Sequence, residues 1–204
     1  MDIHFLFPTV VTTDYNPNIP QEEHDLLINS DYQKNLKYGF FNVTSDTYIL
    51  NRVPKIKAWI QGCIDEYALK ILATTEKLKF TQSWCIKHRN EPQRIYPHTH
   101  GNSIISGSYY IDAPDNTEGL RLQKGYHTSY PYVSLNHDRE LGDKPWTWSH
   151  TDIPVTTGKL ILFPSHLLHS VNGGESKDQQ RCVLAFNTWF NGPWGDPEQL
   201  TRVE

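Results

Sequence analysis

Apolar residues in the first third of the chain follow a helical period in two places. Pro20 followed by "QEEHDLLINS" places a proline at a helix start and acidic residues in the first turn, which predicts a short helix. Residues 53–76 predict a longer helix with one face on a core, because apolar residues recur there at steps of three and four. These residues are Ile56, Ile60, Cys63, Ile64, Tyr67, Ile71 and Leu72. The run 3–12, interrupted by Pro8, predicts a first strand.

After the long helix the pattern changes to short segments rich in β-branched and aromatic residues. Turn-forming Gly, Pro, Asn and Asp separate these segments, as is typical of strands. The predicted strands are 80–88, 103–112, 120–124, 158–165 and 181–190. Many short strands joined by turns favour a sandwich or a jelly roll. We therefore expect a mainly β fold with N-terminal helices.

The length of 204 residues fits a single domain, 1–204. Within it we expect an N-terminal strand and supporting helices (1–79), a jelly-roll core (80–190) with a long excursion (113–157), and a tail (191–204). The polar stretch 125–157 is rich in Tyr and Trp, and is either a loop that borders the functional site or a surface insertion packed on itself.

Composition and charge indicate which partners and which cellular compartment to expect. The net charge is −4 without a basic stripe, so nucleic acid is not favoured. Three widely spaced cysteines argue against a disulfide framework and for a reducing compartment. The short apolar N-terminus has neither the length of a membrane span nor the basic residues of a signal peptide. A cytoplasmic protein is expected, and the oligomeric state is not predicted.

Histidines provide the clearest chemical signal. In "PHTHGNSIISGSYYID", His98 and His100 are two residues apart, and such residues point to the same face of an extended segment. A divalent metal with open coordination positions needs a third ligand from another strand. In "GKLILFPSHLLHSV" that ligand is His169, which begins an extended segment, rather than His166, which we place in the turn. His88, at the end of a predicted strand, is a weaker candidate.

Arg181 begins the last predicted strand, "RCVLAFNTW". Alternation puts Arg181 on one face of this strand with Val183, Ala185 and Asn187, whereas Cys182, Leu184 and Phe186 share the other face. A guanidinium beside small apolar residues needs an anion, and its two parallel donors suit a carboxylate. The alternative is an arginine in water at the strand end.

Taken together, these motifs resemble the 2-oxoglutarate- and Fe(II)-dependent oxygenases, in particular a family of bacterial and phage proteins related to the prolyl and aspartyl/asparaginyl hydroxylases. The resemblance rests on "LFPT", "QSW", "HTHGNSIISGSYYI" and "LFPSHLLHSV…RCVLAFN", and spans nearly the whole chain except 113–157. It implies a double-stranded β-helix, with Fe(II) at His98 and His169 and the distal carboxylate of 2-oxoglutarate at Arg181. It also implies that iron and O₂ convert 2-oxoglutarate to succinate while a substrate C–H bond is hydroxylated.

One position departs from the usual pattern of two histidines and one carboxylate. His100 stands where the carboxylate is expected, and three explanations are open. The site uses three histidines; or His100 points away and two histidines suffice; or a carboxylate comes from Asp112 or the 125–157 stretch. We favour the three-histidine site.

Further candidates follow from the same motifs. Asn102 and Ser103 could hydrogen-bond 2-oxoglutarate or a substrate, as could the phenol of Tyr109 or Tyr110, of which only one faces the barrel interior. Asn187 shares the face of Arg181. The expected substrate is a small molecule or a peptide side chain. The competing hypotheses are a metal-binding, cupin-like jelly roll without redox chemistry and a phage or structural protein that keeps only the fold.

Overall fold

A computed structural model describes residues 2, 4, 8–37, 39–88, 94–114, 117–125, 148–172 and 181–192. The helices are α1 (Gln21–Ile28) and α2 (Pro54–Lys70), with a 3₁₀ turn at Ile49–Arg52 between them. The strands are β1 (Thr12–Tyr15), β2 (Tyr32–Asn35), β3 (Gly39–Thr44), β4 (Leu78–His88), β5 (Arg94–His98), β6 (Ile105–Asp112), β7 (Leu120–Gln123), β8 (His150–Ile153), β9 (Lys159–Pro164), β10 (Leu168–Val171) and β11 (Arg181–Phe190).

Two antiparallel sheets form the body of the protein. The first sheet has the order β1-β9-β6-β11-β4-β3-β2, and the second has the order β5-β10-β7-β8. Strand β3 joins them, because it pairs with β4 at Val43↔Ile86 and with β5 at Gly39↔Ile95. Apolar residues from both sheets, among them Ile95, Phe163 and Val183, pack into one core between them. This arrangement confirms the predicted jelly roll.

Gly39 allows the close approach of strands at the junction between the sheets. Its φ is +150°, and a Cβ placed there would lie 1.9 Å from the carbonyl oxygen of Arg94. Only a residue without a side chain fits this contact, so the glycine permits β3 to reach β5.

The helices cover the outer face of the first sheet. Ile56, Ile60 and Ile64 of α2 are buried in a second core, together with Cys182, Leu184 and Phe186 of β11. The predicted apolar stripe of α2 and the predicted alternation of β11 are thus confirmed.

The end of α2 differs from the sequence prediction. The helix stops at Lys70 rather than Glu76, because Ala73 has a φ of +52° and the N–H of Thr74 turns back to the carbonyl of Ala68 at 3.1 Å. Ile71 and Leu72 therefore lie outside the helix and are exposed by 36% and 40%.

Several strand predictions also need correction. The strand expected at 3–12 begins only at Thr12, since Pro8 has no N–H and the carbonyl of Val10 accepts from the Tyr67 hydroxyl at 2.9 Å. Residues 3 and 5–7 lie outside the described part. Strands β2, β3 and β5 were not predicted. The 125–157 stretch contains β8, and its residues 126–147 lie outside the described part, as do residues 193–204 of the predicted tail.

The N-terminus of α2 is capped by a side chain from α1. Its own N-cap residue, Val53, offers no side-chain acceptor. Instead the buried carboxylate of Glu23 accepts hydrogen bonds from the backbone N–H groups of Lys55 (2.8 Å) and Ile56 (2.9 Å). A negative charge at this end of a helix is also favoured by the helix dipole.

Replacing Glu23 with glutamine is expected to lower the free energy of unfolding by about 1–3 kcal/mol, because an NH₂ group would then face a buried N–H. Urea unfolding measures this loss. The control is Glu22→Gln, since Glu22 is exposed and pairs with Lys55 in solvent, and it should leave stability nearly unchanged. Equal stabilities of the two variants would contradict the capping role.

None of the helices in the described part of the chain combines the length and the apolar character that crossing a bilayer requires.

Candidate metal centre

Three histidine side chains converge between the sheets. His98, the last residue of β5, lies directly opposite His169 of β10 in the antiparallel ladder. His100 follows two residues after β5, where its N–H donates to the carbonyl of Ser165 at 2.9 Å. One ring nitrogen from each histidine lies within 4.8 Å of the other two. The structure thus brings together the three histidines that the sequence singles out, His98, His100 and His169.

Hydrogen bonds fix the orientation of two of the rings. Nδ1 of His98 lies 2.8 Å from the carbonyl of Tyr96, and Nδ1 of His169 lies 2.9 Å from the carbonyl of Leu167. A carbonyl oxygen only accepts, so each neutral ring carries its proton on Nδ1. Their Nε2 atoms therefore keep the lone pair that a metal requires.

The third ring is oriented by β6. Nδ1 of His100 lies 2.8 Å from Oγ of the buried Ser106, whose own hydroxyl donates to Oδ1 of Asn187 at 2.8 Å. Ser106 is then the acceptor for the proton on Nδ1 of His100. Nε2 of His100 faces Nε2 of His98 at 3.2 Å.

Burial keeps the three rings neutral. It lowers the pKa of His98, and it lowers the pKa of His100 to about 4, with a further contribution from the nearby His98. Burial likewise lowers the pKa of His169 to about 3, helped by both neighbouring histidines. At neutral pH all three side chains are therefore uncharged donors, the form in which imidazole binds a metal.

A divalent ion fits this donor set. Two imidazole nitrogens bound to one metal at right angles would lie about 3 Å apart for metal–nitrogen bonds of about 2.1 Å, close to the 3.2 Å between His98 and His100. With no ion between them, two lone pairs at that distance repel each other. Three ligands on one side would leave the opposite positions open for other molecules.

Among the described residues, no carboxylate lies beside the histidines. Asp112 was considered for this role, but its carboxylate lies 3.0 Å from Nε2 of His24 on α1 and does not line the cavity. The described cavity lining contains neither Asp nor Glu. His166 is exposed in the turn before β10, as predicted. His88 ends β4 opposite Arg181, and its side chain lies outside the described part.

Arg181 is buried, and no described residue gives it an anionic partner. It is 7% exposed, and its Nε has no hydrogen-bond partner among the described residues. Nη2 donates to the hydroxyl of Tyr110 at a long 3.5 Å, and the guanidinium lies 5.2 Å from the centre of the same ring. None of the ion pairs within the described ranges includes Arg181. A buried, unpaired guanidinium favours binding of an anion.

Arg181 and the three histidines line one cavity of about 520 Å³ between the sheets. The predicted face of β11 lines it as well, with Val183, Ala185 and Asn187. The arrangement provides a site for a divalent cation and a site for an anion in the same chamber.

Tyr110 is the tyrosine that faces this chamber. Tyr109 does not reach it: its ring packs against Trp59 on the helix side of the sheet, and its hydroxyl donates to the carbonyl of Asn16 at 2.7 Å. Of the two tyrosines considered for the site, Tyr110 lines the cavity and Tyr109 does not, so a site role for Tyr109 has no support in its position.

Asn102 and Ser103 are not brought to the cavity. Asn102 is exposed in a turn with a φ of +55°. The hydroxyl of Ser103 accepts from Oγ of Ser165 at 2.7 Å and so stabilises the turn before β6. Binding of 2-oxoglutarate by either residue has no support in their positions.

Sequence reasoning missed three residues around the histidines. Trp84 stands edge-on to His100 with ring centres 6.0 Å apart, and Phe163 packs on His169 at 4.8 Å. Ser106 orients His100. The signal for Ser106 was present, because alternation along β6 puts it on the same face as Tyr110.

A family model for 2OG-Fe(II) oxygenases matches residues 82–187, just over half of the 204 residues. The chain belongs to this family, whose members use Fe(II), 2-oxoglutarate and O₂. It is therefore a 2-oxoglutarate-dependent oxygenase, rather than a cupin-like protein without redox chemistry or a structural protein. Among curated proteins the comparison finds no match.

Solved structures with the same fold are distant in sequence. The epimerase SnoN from nogalamycin biosynthesis is 11% identical, with a TM-score of 0.59 over 89% of this chain and 78% of its own. HygX from Streptomyces hygroscopicus, with nickel and 2-oxoglutarate bound, is 13% identical (TM-score 0.53, 88% and 82% covered). A Pseudomonas putida prolyl-4-hydroxylase is 11% identical (TM-score 0.51, 90% and 92% covered). These similarities support the fold alone.

Proposed function

We propose that this oxygenase hydroxylates a C–H bond of a small molecule or a peptide side chain, with Fe(II) held by His98, His100 and His169. The observation that carries the proposal is the convergence of three uncharged imidazoles in the same cavity as a buried arginine that has no anionic partner among the described residues. The overall reaction converts the substrate, O₂ and 2-oxoglutarate into the hydroxylated product, succinate and CO₂.

Different residues would bind the metal and the co-substrate. The three imidazoles would hold Fe(II), which when bound supplies the reduction of O₂ and the oxidation of the substrate. Arg181 would bind the distal carboxylate of 2-oxoglutarate through two parallel hydrogen bonds. The hydroxyl of Tyr110, which already accepts from Arg181, would donate its own proton to the same carboxylate.

Neutral ligands change the charge balance of the site. With a carboxylate ligand the protein itself would offset part of the charge of Fe(II), whereas three imidazoles offset none of it. The dianion 2-oxoglutarate would then neutralise the metal, so metal and co-substrate should stabilise each other strongly in this buried chamber.

The structural neighbours suggest both kinds of substrate. SnoN was solved in complex with Fe³⁺, alpha ketoglutarate and nogalamycin RO, and HygX with nickel, 2-oxoglutarate and hygromycin B. The Pseudomonas putida neighbour is a prolyl-4-hydroxylase. The chamber of about 520 Å³ has the volume typical of a small-molecule site, and would also admit a single side chain.

The test is a screen of small molecules and peptides with the Fe(II)-loaded protein, 2-oxoglutarate and O₂. Succinate release and a product heavier by one oxygen atom are measured together. The proposal expects equal amounts of both for a true substrate. Iron binding without any consumption of 2-oxoglutarate would contradict it.

Replacing Ser106 with alanine is expected to weaken Fe(II) binding by about 10–100-fold, because His100 loses the acceptor that orients it. Metal titration under anaerobic conditions measures the affinity. Ser108→Ala is the matched control, since Ser108 lies on the same face of β6 and should change the affinity less than about twofold. An unchanged affinity in Ser106→Ala, with the fold intact by thermal unfolding, would rule out the positioning role.

A further inference from the structure

The cavity extends well beyond the histidines and Arg181. Residues of β2, β3 and β4 line the rest of the same face of the first sheet, and among them we call the following set the substrate arm: Gln33, Asn35, Phe41, Val43, Gln82 and Trp84. The cross-strand pairs Gln33↔Val43 and Asn35↔Phe41 place them in rows across the strands. Between β11 and β2 lie three strand spacings, or about 14 Å, so there is room for a substrate beside 2-oxoglutarate.

The substrate arm is uncharged. Within the described cavity lining, the residues that carry or can gain a positive charge are Arg181 and the three histidines, and Lys, Asp and Glu do not occur. The whole chain has 19 Lys and Arg and 23 Asp and Glu, so charged residues are not scarce. Once the metal and 2-oxoglutarate occupy the four charged or basic groups, a charged substrate group would find no partner among the described lining residues. Such a transfer is unfavourable.

Two side chains in the arm have free hydrogen-bonding capacity. Gln33 and Gln82 are exposed and make no hydrogen bond with any side chain of the described residues. By contrast, the amide of Gln61 donates to Asp65 and to the carbonyl of Leu78, and that of Gln123 donates to Ser170. A primary amide both donates and accepts, and therefore pairs best with another amide.

We infer that the part of the substrate held in the arm is uncharged and carries a carboxamide, which the amide of Gln33 binds at the outer edge of the arm, while Gln82 lines its opposite end beside the ring of Trp84. The inference rests on the proposed function, because it takes the histidines and Arg181 to be occupied by iron and 2-oxoglutarate. It selects neutral amide-bearing substrates over acidic, basic and phosphorylated ones.

The test uses butyramide, butyrate and butylammonium, which are similar in shape and differ in charge. Each is titrated into the anaerobic Fe(II) protein with saturating 2-oxoglutarate, and binding near the metal is followed by broadening of the proton NMR lines of the probe. Butyramide should bind at least about fivefold more tightly than either ion, because it gains a hydrogen bond and brings no charge into the cavity. Equal or tighter binding of an ion, or no broadening of butyramide, would overturn the inference.

Two variants sharpen the test. Gln33→Glu should strengthen butylammonium binding and weaken butyramide binding, so that the preference is reversed. Gln21→Ala, a glutamine exposed on α1 outside the cavity, should leave all three affinities unchanged. Binding of 2-oxoglutarate is measured first. If 2-oxoglutarate does not bind, the proposed function fails, whereas if it binds and the amide preference is absent, only the inference about the arm fails.

Discussion

Arg181→Ala is expected to weaken 2-oxoglutarate binding by about 30-fold or more, or roughly 2–5 kcal/mol, while iron stays bound. The guanidinium is buried, its Nε has no hydrogen-bond partner within the described part of the chain, and its contact with Tyr110 is long. A dicarboxylate would supply the missing acceptors in a low-dielectric chamber where charge-assisted hydrogen bonds are strong. Iron should remain bound because the proposed metal ligands are the three histidines, and Arg181 is not one of them.

Anaerobic titration of the Fe(II) protein with 2-oxoglutarate measures this effect. Arg181→Lys should recover only part of the lost affinity, since an ammonium cannot form two parallel bonds. Arg121→Ala is the control: Arg121 pairs with Asp152 on the second sheet and does not line the cavity. An unchanged affinity in Arg181→Ala would mean that 2-oxoglutarate binds elsewhere.

His169→Ala is expected to lower the affinity for Fe(II) by more than about 100-fold. Losing a group that only orients a metal ligand costs about 10–100-fold, and losing a ligand itself should cost more. His169 is 5% exposed, lies opposite His98 and is oriented by the carbonyl of Leu167. Water cannot easily replace a buried imidazole that packs on Phe163. Two histidines alone would hold the ion weakly.

The bound metal can be measured by elemental analysis after gel filtration, with isothermal titration for the affinity. His166→Ala is the matched control, because His166 is exposed in the turn only three residues earlier. It should keep the full iron content. Retention of iron in His169→Ala together with its loss in His166→Ala would reverse the assignment.

The features of the fold that depend on sequence periodicity could be predicted from the sequence. The apolar stripe of α2 and the alternation of β11 are local patterns: the first marked the face of the helix that packs on the core, and the second separated the face of β11 toward the helices from the face toward the cavity. The same alternation placed Arg181 in the cavity. The position of His169 followed from the end of β9 at Pro164 and the turn that begins at Ser165, before the histidine enters β10.

Other features depend on pairing between distant segments and could not be predicted locally. Strand β2 is polar and β5 contains Pro97, so neither shows the apolar pattern of a strand, and both are held by pairing with β3. The choice between Tyr109 and Tyr110 depends on the register of β6 against β11, where Tyr110 lies opposite Val183. Gln33 became a candidate only when β2 was placed at the cavity.

The central claim, that His98, His100, His169 and Arg181 form one site for Fe(II) and 2-oxoglutarate, is tested most directly by one titration. Anaerobic Fe(II) protein is titrated with 2-oxoglutarate, and the visible charge-transfer band of the iron complex is recorded. We predict that the band saturates at equimolar 2-oxoglutarate and iron. A protein that binds iron but develops no band at any concentration of 2-oxoglutarate would contradict the account.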